Sequence, residues 1–168
     1  MLDLFLRNLV SNVTRYLACH LGQWFSPNQL TVGSLLCGLA SAFYVAQGQM
    51  EIGLLLWGFN RALDGLDGAV ARLFNLQSDF GGHLDIVSDF IVYAALPAAL
   101  KAPCLPWLLA VYVANAVSLF KLSALLETRT GRQEVTSVQM PPALIEGFET
   151  IIVYTLALAL PAYSVAAT

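Results

Sequence analysis

IGLLLWGFNRALDGLDGAVARLFNLQSDFGGHLDIVSD, residues 52–89, contains two apolar runs of helical length, and each run carries a pair of aspartates. Asp64 and Asp67 are three residues apart and Asp85 and Asp89 four apart, so each pair shares one helix face. Ionisable groups inside apolar spans are expensive and mark function. The short connection over residues 73–79 makes the two runs expected antiparallel neighbours, with both pairs at one depth. Four carboxylates that close repel one another and do not all stay ionised without a compensating cation. Hard divalent ions such as Mg²⁺ or Mn²⁺ take oxygen ligands and complete their shells with water and substrate phosphates. Two ions between the pairs would clamp the attacking and leaving oxygens of a phosphoryl-type displacement. Gly68 and Gly81 beside the acids leave gaps for a nucleotide and its pyrophosphate; close helix packing is the simpler use of such glycines. Arg72, at the end of the first run, is placed for a phosphate.

The flanking sequence sets these runs in lipid. Of 168 residues, 58% are hydrophobic and 11% charged, with mean hydropathy +0.69, whereas a soluble domain carries about 25% charged residues. A spanning helix needs about 20 apolar residues. Five candidates meet this, from about Gln29 to Ala46, Ile52 to Ala71, Phe80 to Leu100, Leu105 to Leu126 and Ala143 to Tyr163. The expected fold is an all-α polytopic transmembrane bundle, one domain over residues 1–168. Leu2, Leu4, Phe5, Leu9, Val13, Leu17, Leu21 and Trp24 recur at mostly three- and four-residue steps, which predicts an interfacial amphipathic helix over residues 1–25. Its last turn suits packing on the bundle equally well. These residues lack the pattern of a secretory signal and are expected to belong to the mature protein. With a cytoplasmic N-terminus, Arg7, Arg15, Arg72, Arg129 and Arg132 lie inside and only Lys101 in an outer loop, as the positive-inside rule prefers. A net charge of −3 gives no general affinity for nucleic acid. Cys19, Cys37 and Cys104 lack CxxC spacing and are expected to be buried small hydrophobes.

Asp64-Gly-Leu-Asp67-Gly68-Ala-Val-Ala71-Arg72, eight further residues, Gly81, three residues, Asp85, three residues and Asp89 resembles the signature of the class I CDP-alcohol phosphatidyltransferase family at every fixed position. The run from Ser26 through Pro27, Asn28, Gln29 and Leu30 to Thr31 is similar to the same family. The resemblance implies that Asp64, Asp67 and Asp85 are metal ligands, with Asp64 and Asp85 bridging two Mg²⁺ or Mn²⁺ ions. It implies that Asp89 completes the second ion's ligands and takes the proton of the incoming hydroxyl. Gly68, Ala71, Arg72, Ser78 and Gly81 match positions that hold the CDP moiety, and Asn28, Gln29, Leu30 and Thr31 a stretch flanking it. It further implies a homodimer in a bacterial inner membrane, with its cavity facing the cytosol, and transfer of a phosphatidyl group from a CDP-lipid to an alcohol with release of CMP. The family typically has six spans, and this sequence displays five.

The acceptor is read from less. Family members that use phosphorylated acceptors often place Lys or Arg after the fourth aspartate, where this chain has Phe90. The spacing from Asp89 to Pro97 is similar to that in phosphatidylserine synthases, so an uncharged or zwitterionic, serine-like acceptor is expected. The alternative is glycerol phosphate or inositol phosphate; the candidate acceptor-binding residues are Arg61, which one turn before Asp64 is expected to pair with an acid or with the acceptor, and Lys121, Arg129 and Arg132. Snorkelling and positive-inside topology account for the last three equally simply. Glu146 and Glu149 suit a helix N-terminus, and His83 is expected to face lipid or another helix. A cation transporter is the rival from another class, although transporters hold ions nearer the bilayer midplane on broken helices. An inactive scaffold of the same family is the third reading.

Overall fold

In the computed structural model, the structure describes residues 14–101, 105–114, 116–117 and 147–160. Among the described residues the chain is entirely helical, with six helices and no strand. They are α1 over residues 14–21, α2 Pro27–Ala46, α3 Met50–Leu73, α4 Asp79–Ala99, α5 Leu105–Ala114 and α6 Gly147–Ala159. The first half of the expected interfacial helix and the ends of the fourth and fifth expected spans lie outside the described residues, as do Lys121, Arg129 and Arg132.

Local chemistry sets the helix boundaries. Ser26 Oγ accepts from the Gln29 N–H at 3.4 Å, while Gln29 Oε1 accepts from the Ser26 N–H at 2.9 Å. This reciprocal capping box, with Pro27 in the first turn, satisfies two donors that a helix start otherwise leaves unpaired. The turn after α2 passes through Gly48 at φ +80°, where a side chain would be strained. Asn75 adopts φ +54° after α3, as asparagine tolerates better than most residues. Ser78 then caps α4 by accepting from the Gly81 N–H at 3.1 Å.

The three consecutive helices have 20, 24 and 21 residues, about 30–36 Å at 1.5 Å per residue and so as long as a bilayer core is thick. Among the described residues, α2 is the one helix both long and apolar enough by composition to cross a membrane. Arg61, Asp64 and Asp67 interrupt α3, and Asp85 and Asp89 interrupt α4.

Packing departs from the simplest expectation, in which α3 and α4 are close neighbours. The closest helix packing is of α2 on α3 and of α2 on α4. Thus α2 forms a back wall, and α3 and α4 face each other chiefly through side chains. The wall is held by a polar seam. Thr31, Ser34 and Ser41 of α2 meet Asp67, Asn60 and Gly53 of α3, the latter set at seven-residue steps that keep one helix face. Asn60, 1% exposed, donates through Nδ2 to Ser34 O and Ser34 Oγ, both at 2.8 Å. Ser34 Oγ donates back to Asn60 O at 3.0 Å, and Ser41 Oγ to Gly53 O at 2.7 Å. Small residues at helix interfaces let backbones approach and such hydrogen bonds form. Gly38 shows the tolerance: a Cβ there would lie 2.5 Å from Val92 Cγ2 and 3.0 Å from Asn60 Nδ2. Gly38→Ala is therefore expected to destabilise the bundle by about 1–3 kcal/mol through overpacking, seen as a lower thermal midpoint in detergent.

Deeper in the bundle, aromatic rings join α3 to α6. Trp57 packs against Tyr93 and Tyr154 with ring centroids 6.4 and 5.8 Å away, and Tyr93 stacks on Tyr112 at 6.0 Å. Their polar tips are satisfied: Trp57 Nε1 donates to Thr155 Oγ1 at 3.0 Å, and Tyr154 OH to Tyr93 O at 2.7 Å, as buried Trp and Tyr require. At the other end, α1 docks through fully buried Ala18 beside Leu30 and Val70. Tyr16, Leu17 and Trp24 stay exposed, Trp24 at 81%, so this turn both packs on the bundle and presents an apolar, aromatic face. Cys19, expected to be buried, is exposed, because the buried position on that turn falls to its neighbour Ala18.

Candidate active site

Asp64 and Asp67 come from the last turns of α3, Asp85 and Asp89 from the first half of α4. Asp64, Asp67 and Asp85 each offer a carboxylate oxygen within 4.8 Å of the others. This all-oxygen, strongly negative donor set is of the kind that holds a hard divalent cation, and its spread is that of ligands around one ion. Asp67, 5% exposed, is the most enclosed of the three. Thr31 Oγ1 donates to its Oδ2 at 2.6 Å and lies 3.1 Å from the Pro27 carbonyl. The end of the polar seam therefore sets the orientation of one candidate-ligand carboxylate from a different helix, a form of outer support that metal-binding carboxylates generally have.

Asp89 stands beside this trio and is engaged by Arg61. Arg61 Nη2 donates to Asp89 Oδ1 at 2.8 Å, Nη1 to Tyr93 OH at 2.8 Å, and Nε to Asn60 Oδ1 at 2.7 Å. Nη1 also faces Asp64 Oδ2 at 3.4 Å. The guanidinium carbon lies 4.8 Å from the Trp57 ring centroid and 5.1 Å from that of Tyr93, within cation–π range. Its side chain is 10% exposed. Of the two partners expected for Arg61, an acid or the acceptor, the structure shows acids, Asp89 and Asp64.

The residues expected around a nucleotide fall into three sets. A Cβ at Gly81 would lie 3.0 Å from Asn28 Oδ1 and 3.1 Å from Ser78 Oγ, so Asn28, Ser78 and Gly81 converge where α2 and α4 begin. A Cβ at Gly68 would lie 3.2 Å from Arg72 Nη1; Gly68 thus gives the exposed Arg72 side chain room to fold back along α3, whose face Ala71 partly exposes. Gln29 and Leu30 have local structural work instead: Gln29 closes the capping box and Leu30 packs on Ala18 and Val70. His83 is exposed.

Sequence reasoning missed Asn60, Trp57 and Tyr93 as parts of this site. Asn60, an amide in the middle of an apolar run, was the available signal, since a polar side chain there needs a partner. Trp57 and Tyr93 carried none, because aromatic residues in a span fit lipid or core alike.

The sequence relationships agree with this geometry. The CDP-alcohol phosphatidyltransferase profile matches residues 24–167. The chain is 33% identical over 148 residues to the inner membrane protein YnjF of Escherichia coli, covering 82% of this chain and 71% of that protein. It is 40% identical over 110 residues to the bifunctional IPC transferase and DIPP synthase of Aquifex aeolicus, covering 62% of this chain and 26% of that one. It is 39% identical over 72 residues to a CDP-diacylglycerol–serine O-phosphatidyltransferase of Helicobacter pylori, covering 43% of this chain and 30% of that one. It thus spans less than a third of the length of the last two. With the profile covering almost the whole chain, the protein belongs to the CDP-alcohol phosphatidyltransferase family of membrane transferases.

Proposed function

We propose that the protein transfers the phosphatidyl group of a CDP-linked lipid, CDP-diacylglycerol in the simplest case, to the hydroxyl of a small alcohol and releases CMP. The observation that carries this reading is the convergence of Asp64, Asp67 and Asp85 within 4.8 Å, with Asp89 alongside, at family-signature positions. Asp89 takes the acceptor's proton, and the hydroxyl oxygen forms a bond to the lipid-side phosphorus. The bond from that phosphorus to the bridging oxygen breaks, and the electron pair leaves with CMP. Asp64, Asp67, Asp85 and Asp89 would hold two divalent ions, Mg²⁺ or Mn²⁺. Such ions supply charge neutralisation at the pyrophosphate and at the attacking and leaving oxygens. Asn28, Thr31, Gly68, Ala71, Arg72, Ser78 and Gly81 line the approach of the CDP moiety, with Gln29 and Leu30 anchoring the helix start that carries Asn28 and Thr31.

In this reading the chain is a single multi-pass domain in a bacterial inner membrane, its acids near the cytoplasmic face, working as a homodimer. The exposed apolar side chains on α2 and α3, such as Leu36, Phe43 and Leu55, suit a lipid surround. A serine-like acceptor is favoured over a phosphorylated one. The serine-specific names of relatives such as that of H. pylori support this, and so does the engagement of Arg61 by protein groups. A cation transporter would have no use for the glycines and the arginine that the signature spaces beside the acids, Gly68, Arg72 and Gly81.

The test uses purified full-length protein with CDP-diacylglycerol, Mg²⁺ or Mn²⁺, and L-serine, glycerol 3-phosphate or inositol phosphate, and measures CMP. Release with L-serine above the other two is expected; no CMP with any acceptor would sink the enzyme reading. Arg72→Ala is expected to raise KM for CDP-diacylglycerol about 10-fold, the loss of about one charge-assisted hydrogen bond to a phosphate, with a smaller effect on kcat.

A further inference from the structure

We infer that Arg61 is a positioning residue that aims Asp89 at the acceptor hydroxyl, locked in place by a hydrogen-bond relay that begins on α2. The inference rests on the proposed transfer and deepens it by taking Arg61 out of the acceptor pocket. The relay runs through named atoms: Ser34 to Asn60, Asn60 Oδ1 to Arg61 Nε, and Arg61 Nη2 to Asp89 Oδ1. Each link is between 2.7 and 2.8 Å, and together they tie three helices. The rings of Trp57 and Tyr93 lie against the guanidinium, and Tyr93 OH accepts from Nη1. Both rings stand one helical turn deeper than the groups they hold, Trp57 four residues before Arg61 and Tyr93 four after Asp89.

An arginine that binds substrate phosphate presents free donors to the cavity. Arg61 instead has all three of its nitrogens engaged by protein acceptors and is almost wholly enclosed. Its planar fork can meet Asn60, Tyr93 and Asp89 at once, which a lysine ammonium on a flexible stem cannot. With one oxygen of Asp89 occupied by Arg61, the carboxylate is held in one rotamer and its other oxygen has a defined direction. Misplacement of a reacting group by about 1 Å costs on the order of 100-fold in rate, so a residue that sets this direction controls turnover without touching substrate.

The experiment measures kcat, KM for CDP-diacylglycerol, KM for L-serine and for glycerol 3-phosphate, and thermal midpoint for wild type, Arg61→Gln, Arg61→Lys, Asp89→Asn and Arg61→Gln/Asp89→Asn. In the single Arg61 variants kcat is expected to fall about 100-fold with both substrates' KM little changed, and Arg61→Lys does not restore it. In the Asp89→Asn background Arg61→Gln adds no further loss, because the group it aims is already disabled. A second melting cycle with Asp89→Ala, which unlike asparagine cannot accept from Arg61, is expected to be non-additive, with Arg61→Gln costing less in the Asp89→Ala background than in wild type, giving a readout independent of turnover. A rise in acceptor KM at constant kcat, or a full additional loss in the Asp89→Asn background, overturns the positioning role while leaving the transfer reaction standing. A wild type that releases no CMP overturns the reaction itself, whereas an additive melting cycle overturns the Arg61–Asp89 link alone.

Discussion

Asp89→Asn is expected to reduce CMP release by about 10³-fold, within the range that a general base contributes, while KM for CDP-diacylglycerol changes little. The change is nearly isosteric. Asparagine Oδ1 can still accept from Arg61 Nη2, so the three-helix relay and the fold are kept. What is lost is a carboxylate able to take the acceptor's proton. Single-turnover and steady-state CMP assays on the full chain, with the thermal midpoint as a check on folding, measure this. Normal activity in Asp89→Asn would show that another group is the base.

Asp85→Ala is expected to lose activity to background at ordinary Mg²⁺ or Mn²⁺ concentrations. A bound divalent ion supplies several kcal/mol of charge stabilisation, which corresponds to about 10³-fold or more in rate. Asp85 is the informative member of the trio, since among the described residues it makes no protein hydrogen bond, in contrast to Asp67, which Thr31 holds. Its removal therefore costs the fold little, and it relieves repulsion among the carboxylates of the metal-free protein. The variant stripped of metal with EDTA should melt no lower than the stripped wild type. Its activity should need far more Mg²⁺ or Mn²⁺ for half-saturation, if it returns at all. An unchanged metal requirement would remove Asp85 from the ligand set.

Much of this was legible before any coordinates. The starts and ends of α2, α3 and α4 fall within about two residues of the expected first three spans, because the apolar runs that set those spans stop close to the residues that cap or turn the helices, Ser26-Pro27, Gly48, Asn75 and Ser78. The two acid pairs were equally legible, since three- and four-residue intervals on a helix fix a shared face regardless of what packs beside it. Arg61 was half-legible: its spacing from Asp64 predicted pairing with an acid or with the acceptor, but its bond to Asp89 on another helix cannot be read along one helix. The seam of Ser34, Asn60, Ser41 and Gly53 was missed, because small and polar residues scattered through an apolar run fit several helix rotations. The aromatic group around Trp57 and Tyr93 was missed for a related reason, as its members come from four helices.

The two acid pairs of residues 52–89 were thus determined by the sequence alone, together with the apolar character of their helices and the chemistry they suit. Those properties depend only on helical period and local composition. The tertiary structure decided that α2 stands behind both helices, that Thr31 holds Asp67, and that Arg61 holds Asp89. The last two are contacts between residues 36 and 28 positions apart. Such contacts depend on how helices rotate and cross when their side chains interlock, a choice that the spacing within any one helix does not contain.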